Sequence, residues 1–143
     1  MPRGEYAKTE KLAIEIVRDA EIARGWTPGP LLGQRAQHEE GRDLLSTPPD
    51  GGPPRRIEVK GWGEPLVAKG AFTYPADVNR EQYERANSDP NWRLEIVGNL
   101  IAVRAGTGQP ERLTLTADEA VKRAACWRYR VPLDGLADRV AVV

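Results

Sequence analysis

The stretch Arg55-Arg56-Ile57-Glu58-Val59-Lys60-Gly61 decides how this chain is read. In an extended strand, successive side chains alternate between faces, so Ile57 and Val59 point one way while Glu58 and Lys60 point the other. Upstream lies Gly41-Arg42-Asp43, expected on a strand over about 41–46. Between the two runs, Thr47-Pro48-Pro49-Asp50-Gly51-Gly52-Pro53-Pro54 has the composition of a reversing turn, which brings Asp43 beside Glu58. Two carboxylates and an ammonium would then converge on one polar spot, enough to hold a divalent metal against a phosphodiester and direct a water at it. Two carboxylates in one place repel unless a proton or cation relieves them, and Mg²⁺ does so with oxygen ligands. Asp43, Glu58 and the Val59 carbonyl are the expected ligands, Mg²⁺ or Mn²⁺ the expected ion. Read alone, a Glu-x-Lys triplet is an ordinary solvated strand face; Asp43 across the turn and the apolar Ile57 and Val59 shift the balance towards a metal site.

The rest of the chain sets bounds on that reading. Its 143 residues suffice for a single domain with a substantial core. Lys+Arg and Asp+Glu balance at 21 each, so no global positive field advertises nucleic acid, and any such binding must be local. One cysteine, Cys126, excludes an intrachain disulfide and a cysteine-built zinc site, and one histidine, His38, argues against a His-based metal centre. No apolar run has the length of a membrane span, and the start lacks the apolar stretch of a signal peptide, so a cytoplasmic domain is expected.

Leu12, Ala13, Ile16, Val17, Ala20 and Ala23 recur at helical spacing, predicting a helix from about Thr9 to Arg24 that stops at Gly25. Glu15, near this stripe, could lean over the sheet as an outer ligand or orient a metal-bound water; taken alone, a surface pair with Arg18 or Lys11 is slightly favoured. Two prolines demote 26–32 to an edge strand at most, and 34–40 reads as a loop. Asn79 and Gln82 form a capping box for a helix to about Asn87, and Thr116 with Glu119 does the same for a helix to about Ala125. Strands are expected at 92–97 and 100–105, paired as a hairpin around Gly98-Asn99, with shorter ones at 113–115 and 127–131. Gln82, Arg80 and Trp62 are candidate substrate contacts: an amide, a guanidinium and an aromatic ring near the site. The safer role for Gln82 is its cap. An α/β domain, a mixed central sheet flanked by helices, fits this order.

The succession of a helix ending near Gly25-Trp26, then Gly41-Arg42-Asp43-Leu44, Ile57-Glu58-Val59-Lys60-Gly61 and the Asn79-Arg80-Glu81-Gln82-Tyr83 helix resembles the NO VEIN C-terminal domain family. That family lies within the PD-(D/E)xK, or restriction-endonuclease-like, nuclease group. The resemblance spans roughly residues 8 to 105. It implies a restriction-endonuclease-like fold, magnesium-dependent hydrolysis of nucleic acid with DNA as the expected form, and roles for Glu15, Asp43, Glu58 and Lys60. It also implies a setting in defence or repair. Arg42, not proline, precedes Asp43, and many members of the group lack that proline. The alternative is a non-catalytic nucleic-acid-binding or protein-interaction module on the same scaffold, with a protein partner or a homodimer as further expected partners.

Overall fold

The computed structural model describes residues 3–29, 43–68, 71–72, 75–124 and 130–142. Among these, six strands form one mixed sheet in the order β1 (Thr27–Pro28), β2 (Leu44–Thr47), β3 (Arg55–Gly61), β7 (Arg93–Gly98), β8 (Glu111–Thr116) and β10 (Ala141–Val142). β3 and β7 are parallel, and every other pair in the sheet is antiparallel. Two small pairs lie outside it: β4 (Val67–Ala68) with β5 (Ala71–Phe72), and β6 (Ala76–Asp77) with β9 (Arg130–Val131). The helices are α1 (Arg3–Ala23), α2 (Arg80–Ser88), α3 (Leu100–Arg104) and α4 (Ala117–Arg123). This is an α/β fold with a mixed central sheet, as the sequence leads one to expect.

Alternation along β3 builds both cores. Ile57 and Val59 join Leu44, Val97 and the α1 residues Ala13, Ile14 and Val17 in one apolar cluster. On the opposite face, Leu94, Ile96, Leu113 and Leu115 pack with Trp92, Ala86 of α2 and Ala117 and Ala120 of α4. Glu58 and Lys60 therefore belong to the α2 face, at the end of the sheet where α2 begins. The turn between β2 and β3 closes as its composition dictates. Gly51 adopts a φ of 74° and donates to the Pro48 carbonyl at 3.1 Å, and Gly52 donates to Asp50 Oδ1 at 2.8 Å.

The α1 helix begins at Arg3, six residues before the expected Thr9 cap, because nothing in 5–8 breaks a helix; Thr9 is an interior, buried residue. Its end is the expected one. Gly25, at φ 86°, donates to Ile22, and Trp26 donates back to Glu21 at 2.9 Å, the paired bonds of a Schellman stop. The helix crosses β3 closely because Gly61 has no side chain: a Cβ there would lie 2.9 Å from Ala13 Cβ and 3.1 Å from the Thr9 carbonyl. Both capping boxes form, at Asn79/Gln82 and Thr116/Glu119. Glu119 also accepts from Arg139 of the C-terminal turn, and that bond holds its carboxyl down at about 2.

One element departs from expectation. Residues 100–105 form α3 rather than the second strand of a hairpin. Asn99 turns the chain in the left-handed region (φ 64°), and the place beside β7 is taken by β8, with Glu95 opposite Thr114 and Ile96 opposite Leu113. Leu100 then fills the cluster beneath α1, a contact that strand geometry would not supply. The strand at 113–115 is correspondingly longer, 111–116. The loop expected at 34–40, His38, Cys126 and most of the 127–131 strand lie outside the described residues.

Candidate active site

The register of β2 on β3 sets the site. Leu44 pairs with Ile57, which puts Asp43, just before β2, beside Glu58. The Asp43 N–H donates to the Ile57 carbonyl at 2.8 Å, and Asp43 Oδ2 accepts from the Val59 N–H at 2.7 Å. Asp43 is 3% exposed and Glu58 is 4% exposed, and the two carboxyls are close enough to share a proton. Lys60 Nζ lies 3.3 Å from Glu58 Oε1 and 3.4 Å from Gln82 Oε1. Asp43, Glu58 and Lys60 thus converge, as the alternation and the turn predict.

Their electrostatics follow from burial. Removal from water pushes the Glu58 carboxyl well above the usual range, the Asp43 charge pushes it further, and Lys60 only partly opposes both. Burial also raises Asp43, opposed chiefly by the Val59 N–H. The metal-free pair therefore favours a bound proton more than ordinary carboxylates do. Glu58 Oε2 is buried and meets no hydrogen-bond donor, which leaves a lone pair directed at nothing that could satisfy it.

A pocket of about 240 Å³ opens beside these residues, lined by Val59, Lys60, Gly61, Trp62, Glu10, Pro75 and Asp77. Lys60 both touches Glu58 and lines the pocket, so it links the buried carboxylates to the open space. Trp62 forms part of the wall. Gln82 caps α2 through its Oε1, which accepts from the Asn79 N–H at 2.9 Å, and the same oxygen receives Lys60. The cap expected of Gln82 is formed, and its side chain reaches Lys60 without lining the pocket.

Two residues expected here are elsewhere. Glu15 is exposed and does not line the pocket, whereas Glu10 does and is near enough to raise the Asp43 carboxyl. The reason is helical phase. At about 100° per residue, Glu10 falls on the buried face of Thr9, Ala13, Ile14, Val17 and Glu21, and Glu15 falls on nearly the opposite side. Arg80 is 76% exposed and pairs with Glu84 one turn along α2, outside the pocket. Nor do Arg55 and Arg56 face it: Arg55 pairs with Glu21 over the Trp26 ring, and Arg56 pairs with Asp89 at 2.7 Å.

The donor set fits a hard divalent cation in kind. Two buried carboxylates, one with an unanswered oxygen, form a pair that a cation would relieve in place of the shared proton. Among the described residues no group of three or more His, Cys, Asp and Glu side chains is arranged to hold a metal, so further ligands would be the Val59 carbonyl and water. Glu10 and Asp77 were overlooked in the sequence; the phase of α1 points to the first, and no local pattern marks the second. Comparison with known proteins finds no matching family model, no matching curated protein and no matching solved structure.

Proposed function

We propose that this domain is a metal-dependent nuclease that hydrolyses phosphodiester bonds of nucleic acid, DNA being the form the sequence resemblance favours. The observation that carries the reading is that Asp43, Glu58 and Lys60 converge, with Lys60 at the pocket edge and Glu58 Oε2 buried and unsatisfied behind it. Asp43 and Glu58 would hold Mg²⁺ or Mn²⁺, with the Val59 carbonyl as a further oxygen. When bound, the ion supplies charge neutralisation at the phosphoryl group and lowers the pKa of water. Lys60 presents a compact ammonium to the charge that develops on the phosphoryl oxygens, and Gln82 restrains it from the α2 side. Glu10 takes the helical-carboxylate role that the sequence suggests for Glu15. Trp62 offers a flat wall against which a base could stack. The family resemblance adds a setting in defence or repair, with the cytoplasm as the proposed compartment, and the neutral net charge favours a protein partner or second copy that strengthens the hold on substrate. Among the described residues, no helix is long and apolar enough to cross a membrane.

The second reading is a binding module without catalysis. What favours it is that neither Asp43 nor Glu58 lines the pocket; both lie behind Lys60. Metal titration separates the two. An ion that binds only the folded protein at about 100 times its Kd stabilises by about 2.7 kcal/mol, so Mn²⁺ should raise Tm by roughly 5–10 °C in a chain of this size. Asp43→Ala should abolish that rise. A Tm indifferent to both Mg²⁺ and Mn²⁺ would favour the binding module.

A further inference from the structure

On the α1 face of the sheet, beyond the helix itself, lies a second and larger pocket of about 460 Å³. Arg24 at the end of α1, Arg112 on β8 and Arg139 in the C-terminal turn converge on it, together with Thr114 and the β10 residues Ala141 and Val142.

Each guanidinium is held from behind. Arg24 meets Glu21, which is 0% exposed, at 3.5 Å. Arg112 is gripped through Nε and Nη2 by the two oxygens of Glu95, itself 1% exposed, and the Thr114 hydroxyl donates to the same carboxylate at 2.9 Å. Arg139 bonds Glu119 and also donates to the Thr114 carbonyl at 2.9 Å. Burying carboxylates such as Glu21 and Glu95 contributes little to stability by itself, since the desolvation penalty offsets the attraction. Its consequence here is positional: Arg112 and Arg139 are hydrogen-bonded in place, and the half-exposed Arg24 lies beside them around one open space. A guanidinium has five N–H donors, and the bonds to Glu95 leave Arg112 with donors to spare. Preorganised forks of this kind suit tetrahedral oxyanions.

We propose that this pocket is a phosphate-binding subsite that grips the backbone of a polynucleotide at a distance from the cleavage centre. The proposal rests on the nuclease reading, and it answers a difficulty in it. The first pocket is bordered by two carboxylates, Glu10 and Asp77, against the single ammonium of Lys60, so it offers phosphate little hold of its own, and the chain as a whole has no net charge to attract it. The α1 helix bears Glu10 at one pocket and Arg24 at the other, about 21 Å apart at 1.5 Å per residue, or roughly six base-pair steps of duplex. The exposed Val142 at the rim gives a sugar or base an apolar contact that free phosphate would not use.

The test is fluorescence anisotropy of labelled single-stranded and duplex DNA in EDTA, where no cleavage occurs. Arg24→Gln is exposed enough to leave the fold intact. It should weaken binding about three- to tenfold and reduce the slope of log K against log salt by about one. Since Arg112→Gln alone strands Glu95, the Arg112→Gln/Glu95→Gln double variant supplies the second measurement, with a like effect. Affinity and slope unchanged in both variants would overturn the subsite, as would displacement of DNA by polyglutamate as effectively as by unlabelled DNA. Saturation by inorganic phosphate with no binding of either DNA would overturn the polynucleotide assignment. Failure of the nuclease reading looks different: the arginine variants weaken binding as stated, yet the parent protein cuts nothing when metal is restored.

Discussion

Replacing Lys60 with alanine should abolish cleavage while leaving the fold in place. Among the described residues, Lys60 is the cation that both meets the buried Glu58 carboxylate, at 3.3 Å, and lines the open pocket. Removal of a single donor aimed at developing oxyanion charge lowers turnover by about 10²–10³-fold in other enzymes, and that is the loss expected here. The fold should survive because the side chain is a quarter exposed, and the Glu58 carboxyl beside it is already pushed up by burial towards its neutral form. Lys60→Arg should recover little, since a planar fork cannot occupy the space of a compact ammonium between Glu58 and Gln82. Initial rates with Mn²⁺ and circular dichroism of both variants check this. Equal rates in Lys60→Ala and the parent would remove Lys60 from the mechanism.

The second large effect concerns stability, and its sign is opposite to that of most core substitutions. Glu58 has a folded-state pKa well above its ordinary 4.5. Between those two values the folded protein holds a proton that the unfolded chain has released. The stability linked to this proton is therefore full at low pH and declines as pH rises through that window. Metal-free protein should lose Tm progressively as pH rises above 4.5. Glu58→Gln, which carries no titrating proton, should flatten that decline and raise Tm at neutral pH by roughly 3–8 °C. The same variant should lose the stabilisation by Mn²⁺. Differential scanning calorimetry across pH with EDTA present gives both readings, and a lower Tm in Glu58→Gln at neutral pH would contradict the electrostatic account.

The sequence carried much of this because the informative features are local. Alternation in 57–60 separates the apolar from the polar face of β3, a Pro/Gly turn fixes the register that delivers Asp43, and two capping boxes mark where α2 and α4 start. What it concealed depends on neighbours distant in the chain. Leu100, Ile101 and Val103 read as strand, yet β8 occupies that place in the sheet and a helix buries Leu100. Glu15 sits beside apolar residues in order but not in angle, and the true face of α1 becomes clear only when Thr9, Ala13, Val17 and Glu21 are seen to be buried together. Glu21 and Glu95 have no signature that tells a buried carboxylate from a solvated one; Arg55, Arg112 and Thr114 make them tolerable, and these come from other strands.

The central claim is that two buried acids and a lysine cut phosphodiesters with the help of a metal ion. Incubating the purified domain with single-stranded and duplex DNA and RNA, each with Mg²⁺, Mn²⁺ or EDTA and beside an Asp43→Ala control, tests it most directly. The account predicts cleavage of at least one substrate with metal, none in EDTA and none by the variant. Products that form equally with Asp43→Ala, or no cleavage under any condition although Mn²⁺ raises the Tm of the parent, would contradict it.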